Sequence, residues 1–144
     1  MQTSKKLIGG LFVLIMLTIS VQASEGYKNL FVTITTDNIK QAGMGVAVAN
    51  AFQDAGVNTT VLVGADATHL VLKKGQQQKF GPTGKSIRDM LISLSKNGGT
   101  VMLCGMCANF EKITSDDVAE GTKIVTPSDV AGALLAPSTQ SLSF

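Results

Sequence analysis

Between Asn29 and Phe144 the chain alternates short β-branched runs with segments of helical periodicity, and that alternation restricts the fold more than any other feature. Asn29 to Thr35 reads as a buried strand, Asn58 to Val63 as a second, and His69 to Leu72 as a short third. Thr100 to Leu103, Thr122 to Val125 and Gln140 to Phe144 supply three more. Helices fall between them. Thr36-Asp37-Asn38 offers caps for an Ala-rich helix over Ile39 to Ala55, in which Val48, Ala51, Phe52 and Ala55 recur at helical spacing and Gly56 stops the chain. Ser86 opens another helix, with Asp89 in the capping-box position and Ile87, Met90, Leu91 and Leu94 as its apolar stripe; Asn97-Gly98-Gly99 ends it. Ala108 to Lys112 starts a third helix and Pro127 to Leu135 forms a fourth, with Pro near its start. The polar stretch Lys73 to Lys85 reads as an exposed loop. Strands that alternate with helices need crossover connections. The expectation is a single three-layer α/β domain, with about five mostly parallel strands between helices.

The N-terminus belongs to a different class of segment. Lys5 and Lys6 precede an apolar run from Leu7 to Val21, and Val21-Gln22-Ala23 places small residues where a leader is cut. The run contains Gly9 and Gly10 and is shorter than the roughly 20 residues a spanning helix needs. Residues 1–23 are therefore expected to be a removed signal peptide. Residues 24–144 are then the exported domain, periplasmic or secreted, with no stable membrane span after removal. No Cys lies near the leader's end to carry a lipid anchor. Without Lys5 and Lys6, the chain's 12 basic residues no longer outnumber its 10 acidic ones. A neutral domain with one Tyr and no Trp lacks the clustered cations that phosphate-backbone binding requires, so nucleic acid is not an expected partner.

Gly81-Pro82-Thr83-Gly84-Lys85-Ser86 ends like a phosphate loop, but the position that needs the first Gly holds Lys79, and Ser86 serves as a helix cap. No cofactor site is expected there. His69, the one histidine, precedes Leu70-Val71-Leu72 and reads as structural. Asp116 and Asp117 read as partners for the positive end of a helix. The sharpest local signal is Cys104-Gly105-Met106-Cys107, which holds both cysteines of the chain. A thiol at a helix start gains the dipole and free N–H groups, which favour its thiolate. Cys107 is expected there, and Cys104 at a strand end nearer the core, where desolvation raises a thiol. Cys107 is accordingly expected to be alkylated first. Three uses of the pair fit: reactive thiol chemistry, soft-metal capture, and an inert structural disulfide in an oligomeric interaction module. The disulfide would close too short a loop to constrain much of the unfolded chain. Met102-x-Cys104-x-x-Cys107 has the soft ligands that suit Cu(I), with Met106 as a further thioether, although a strand Met usually packs.

Taken in order, Leu30 to Thr35, Phe52-Gln53-Asp54-Ala55-Gly56-Val57, Val61-Leu62-Val63 with Ala67 to Leu70, and Gly98-Gly99-Thr100-Val101 resemble one family along the whole mature chain. The likeness continues through Cys104-Gly105-Met106-Cys107, Ile113 to Gly121, Asp129-Val130-Ala131 and the closing strand. The chain resembles the DsrE/DsrF-like (YchN-like) sulfur-relay proteins. The resemblance implies a cysteine in this loop that carries a persulfide between donor and acceptor, whether proteins or small thiols, and subunits assembled as trimers or hexamers. Carried over by position, Cys107 is the persulfide carrier and Cys104 the accessory thiol. Many relatives have Arg-Gly shortly after the cysteine, where Glu111-Lys112 stands here, and relatives in cytoplasmic relays lack a leader.

Overall fold

The computed structural model describes residues 26–75 and 77–144. The expected leader, residues 1–23, lies outside the described residues. A central sheet is built from β1 (Asn29–Ile34), β2 (Asn58–Val63), β5 (Thr100–Cys104), β6 (Thr122–Val125) and β7 (Thr139–Ser143), in the order β6-β5-β2-β1-β7. Every pairing in it is parallel. The two remaining strands, β3 (Lys79–Phe80) and β4 (Lys85–Ser86), form a separate small antiparallel hairpin. Among the described residues four α-helices accompany the sheet: α1 (Ile39–Asp54), α2 (Ile87–Lys96), α3 (Gly105–Phe110) and α4 (Pro127–Leu134). Among the described residues no helix is long and apolar enough to cross a membrane.

Side chains alternate along each strand, so the parallel register sorts them into two faces. Leu30, Val32 and Ile34 share one face with Val61, Val63, Val101 and Leu103, and all are buried in the core with Ala42, Val46 and Ala49 of α1. The α2 stripe Ile87, Met90, Leu91 and Leu94 joins the same core, as its spacing predicts. The other face is covered more thinly. Phe31 is buried there, while Leu62 and Met102 are half-buried, and α4 lies near its Cys104 end through Pro127 and Val130.

The caps explain where the helices begin. Asn38 accepts from the N–H groups of Lys40 and Gln41 at 3.0 and 3.3 Å. Ser86 and Asp89 exchange hydrogen bonds, and Thr126 with Asp129 forms a full capping box. The face that α1 buries differs from the expected one. Its inner surface is Ala42, Gly43, Gly45, Val46 and Ala49, while Phe52 stays 43% exposed. Small residues win because the helix lies too close to its neighbours for larger ones. A Cβ on Gly43 would collide with the Phe80 ring, and one on Gly45 with Ile34 and Phe144.

Two further expectations are corrected. His69 to Leu72 is not a strand: Ala65–Val71 forms a 3-10 helix, and Leu72 makes one isolated bridge to Val118. The three-residue turn of that helix buries Ala67, Leu70 and Val71 together, which alternation along a strand would not. The polar loop holds the β3–β4 hairpin, whose Phe80 packs on Gly43.

Candidate functional site

The site forms where β2 and β5 end side by side, the end of an open parallel sheet at which ligands gather. β2 runs out into Gly64 and then Ala65, the first residue of the 3-10 helix. Gly64 is pinned by its N–H to the carbonyl of Ile34 at 3.0 Å. A Cβ on it would lie 3.1 Å from Cys104 Cβ and 3.4 Å from Cys107 Sγ, so the glycine is what lets both cysteines approach β2. Ala65 adopts φ 50°, the left-handed region that non-glycine residues seldom occupy. That turn aims its N–H at Cys107 Sγ, 3.3 Å away.

The helix holding the cysteines starts three residues earlier than expected. Cys104 ends β5, as expected, and is also the N-cap of α3, while Cys107 lies inside the first turn of the helix rather than just before it. The electrostatics reverse the expectation. Burial pushes the Cys104 thiol up, but the N–H of Cys107, the Cys107 thiol and the N–H of Met106 together outweigh it, and the net direction is down. For Cys107 the Ala65 N–H pulls down, but the bond its thiol makes to Cys104, burial, and the negative charges of Cys104 and Glu111 prevail, and the net direction is up. Cys104, not Cys107, is therefore the more acidic thiol. Both are free and half-buried. The two thiols titrate as a coupled pair, so the first proton lost belongs to the pair and not to either residue.

This arrangement predicts opposite shifts from two substitutions. Cys104→Ala removes the acceptor and the neighbouring charge, so Cys107 should ionise at lower pH than in the intact pair. Cys107→Ala removes a donor, so Cys104 should ionise at higher pH. Titrating the ultraviolet absorbance of the thiolate in each variant checks this; movement in the same direction would refute this coupling.

The two thiols open onto different cavities. Cys107 lines a groove of about 630 Å³ with Ala65, Asp66, Thr68, His69, Met106, Phe110 and Glu111. Cys104 borders a smaller apolar pocket with Leu62, Met106, Val125, Pro127 and Val130. Thr68 donates to the Glu111 carboxylate at 2.8 Å, and Met106 and Phe110 are 71% and 89% exposed. His69 thus stands on the groove that holds Cys107, which its place before an apolar run did not reveal. Gly64, Ala65, Asp66 and Thr68 also escape sequence reasoning. They join the site through a turn whose conformation has no signature in residue type. Asp116 and Asp117 lie away from the thiols, where Asp117 accepts from Thr114. Among the described residues no group of three or more His, Cys, Asp and Glu could hold a metal ion. A soft-metal set would have to use Cys104, Cys107 and Met106.

The family model described as DsrE/DsrF-like matches residues 28–140. No curated protein matches the chain. Among solved structures, the YchN protein of E. coli superposes with a TM-score of 0.68 at 20% identity, covering 81% of this chain and 98% of that one. A protein of unknown function from Methanobacterium thermoautotrophicum gives 0.61 at 13% identity, covering 82% and 99%. A conserved protein of unknown function from Bacteroides thetaiotaomicron gives 0.56 at 14%, covering 81% and 95%. Identities this low speak for the fold.

Proposed function

The chain belongs to the DsrE/DsrF-like family, and on that premise we propose that it carries or transfers sulfane sulfur as a persulfide on Cys107, with Cys104 as the resolving thiol. The observation that carries the reading is a pair of free thiols drawn against Gly64, with Cys107 facing an open groove and its sulfur 3.3 Å from the Ala65 N–H. Cys104 takes the role of local base. It holds the pair's negative charge, and it accepts the Cys107 proton when a donor arrives. The Cys107 thiolate that results receives the Ala65 N–H. A thiolate of higher pKa is also the stronger nucleophile once formed. It attacks the outer sulfur of the donor, one S–S bond forms as another breaks, and the donor leaves as a thiolate. An acceptor thiolate then takes the outer sulfur by the same exchange. Without an acceptor, Cys104 attacks the inner sulfur, expels sulfide, and leaves a Cys104–Cys107 disulfide; the pair is oxidised as the carried sulfur is reduced.

The carriage is placed outside the cytoplasm, in the periplasm or as a secreted protein, and the working unit is a homo-oligomer. Leader-like residues 1–23 support the first. Exposed Leu134 and Leu135, at the end of α4 and away from the groove, support the second, because large apolar side chains left in water favour association. Native mass spectrometry of protein taken from the exported fraction tests all of this together. The expected species is an oligomer of chains that begin at Ser24, each gaining one sulfur atom after exposure to a sulfane donor. Monomers, or chains that never gain sulfur, would count against it. A mass gain of copper would favour metal capture, and a stable loss of two hydrogens an inert disulfide.

A further inference from the structure

We propose that the groove beside Cys107 selects electrically neutral organic persulfides over anionic sulfane donors, with Glu111 as the residue that sets the preference; this rests on the persulfide reading above. The groove's acidic lining is Asp66, from the 3-10 helix, and Glu111, just past α3, and among the described residues no Lys or Arg lines it. Glu111 is fixed in place: the hydroxyl of Thr68, a residue only 2% exposed, lies 2.8 and 2.9 Å from its two carboxylate oxygens. Lys73, Lys74 and Lys112 stand on the other side of Glu111, in a neighbouring cavity shared with Asp116 and Asp117. Asp116 and Asp117 offset two of those three positive charges, and Lys73 is engaged with the Asp116 carbonyl at 2.9 Å, facing away from the groove's lining. The exposed side chains of Met106 and Phe110 give the groove an apolar wall. A neutral donor gains that wall, whereas an anionic donor must bring its charge towards two carboxylates.

The same field suits the chemistry. The Cys107 thiolate attacks the outer sulfur of R–S–SH. The new Cys107–S bond forms as the donor's S–S bond breaks, R–S⁻ leaves and takes a proton from water, and no net oxidation occurs. A donor whose outer sulfur keeps its proton is the electrophile. Nearby carboxylates favour that protonated form, since an anionic outer sulfur would repel both them and the attacking thiolate.

The test uses two donors that differ by one charge: N-acetylcysteine persulfide and its methyl ester, compared by the rate at which Cys107 gains sulfur. The ester should load roughly five- to tenfold faster at low ionic strength, the size of one like-charge interaction at about 7 Å in a partly solvated site. The advantage should shrink as salt is added. In Glu111→Gln, which can still accept from Thr68, it should fall to roughly half or less. Because the readout is a ratio of two donors, any change in the thiolate fraction of Cys107 cancels. A ratio near one in the unaltered protein, or one that salt does not move, overturns the inference while leaving persulfide carriage standing. Failure of both donors to load overturns the persulfide reading and the inference with it.

Discussion

Cys107→Ser protein is expected to take up no sulfur from a sulfane donor, a loss to background, while Cys104→Ser loads fully and then keeps its sulfur. The asymmetry follows from where the two sulfurs open. Cys107 lines the groove that can admit a donor, whereas Cys104 borders the apolar pocket under α4. Serine keeps the size of the side chain but cannot hold an outer sulfur, so loading ends with Cys107. Removing Cys104 leaves the attack possible, because the thiolate of Cys107 still has the Ala65 N–H. What disappears is the neighbouring thiolate that expels sulfide, so release without an acceptor should slow markedly. Mass spectrometry over time, with sulfide measured in parallel, separates the readings. Metal capture predicts that either substitution weakens Cu(I) binding similarly, since both thiolates would be ligands. An inert disulfide predicts no loading by any form. Loading that survives Cys107→Ser would mean that Cys104, the more acidic thiol, is the carrier.

The thiol pair also shows how far the sequence could be read. Its location between a strand and a helix was legible from the spacing of Thr100 to Cys107, and so was the α2 stripe that completes the core. The two cysteines' environments were not. They depend on whether α3 begins at Gly105 or Ala108, and helix ends are fixed by local hydrogen bonds that periodicity does not encode. One turn of displacement moved the N-cap from Cys107 to Cys104 and reversed which thiol is acidic. The face of α1 was misread for a related reason. Phe52 carries the stronger apolar signal, but Gly43 and Gly45 permit the close approach. Alanine and glycine signal contact distance only once the neighbouring element is known. Ala65 was invisible altogether, because a positive φ at an alanine is imposed by its surroundings.

Gly105→Ala should lower the melting temperature by about 3–10 °C, whereas Gly64→Ala should leave it nearly unchanged and disturb the thiols instead. Gly105 is the first residue of α3, and a Cβ there would collide with the carbonyl oxygen of Val125. Val125 ends β6 in register with Cys104, so its carbonyl cannot turn away without loosening the edge of the sheet. Overpacking against backbone costs roughly 1–3 kcal/mol. Alanine's better helix propensity returns at most about 1 kcal/mol, so the collision prevails. At Gly64 the nearest atoms are side-chain ones, Cys104 Cβ at 3.1 Å and Cys107 Sγ at 3.4 Å, and the extended backbone at φ −165° suits alanine. Cys104 Cβ moves only with the end of β5, but an approach of 3.1 Å asks for a few tenths of an ångström, far less than the collision at Gly105 demands of the sheet. The movement would fall on the two sulfurs themselves, weakening the Ala65 bond to Cys107 and the contact between the thiols. Gly64→Ala should therefore melt close to the unaltered protein but load sulfur more slowly. Thermal unfolding with a loading assay on both variants checks the pair. Unchanged loading in Gly64→Ala would show that the thiols tolerate displacement, and an unchanged melting temperature in Gly105→Ala would show that the β5–β6 edge yields more readily than its hydrogen-bonded register implies.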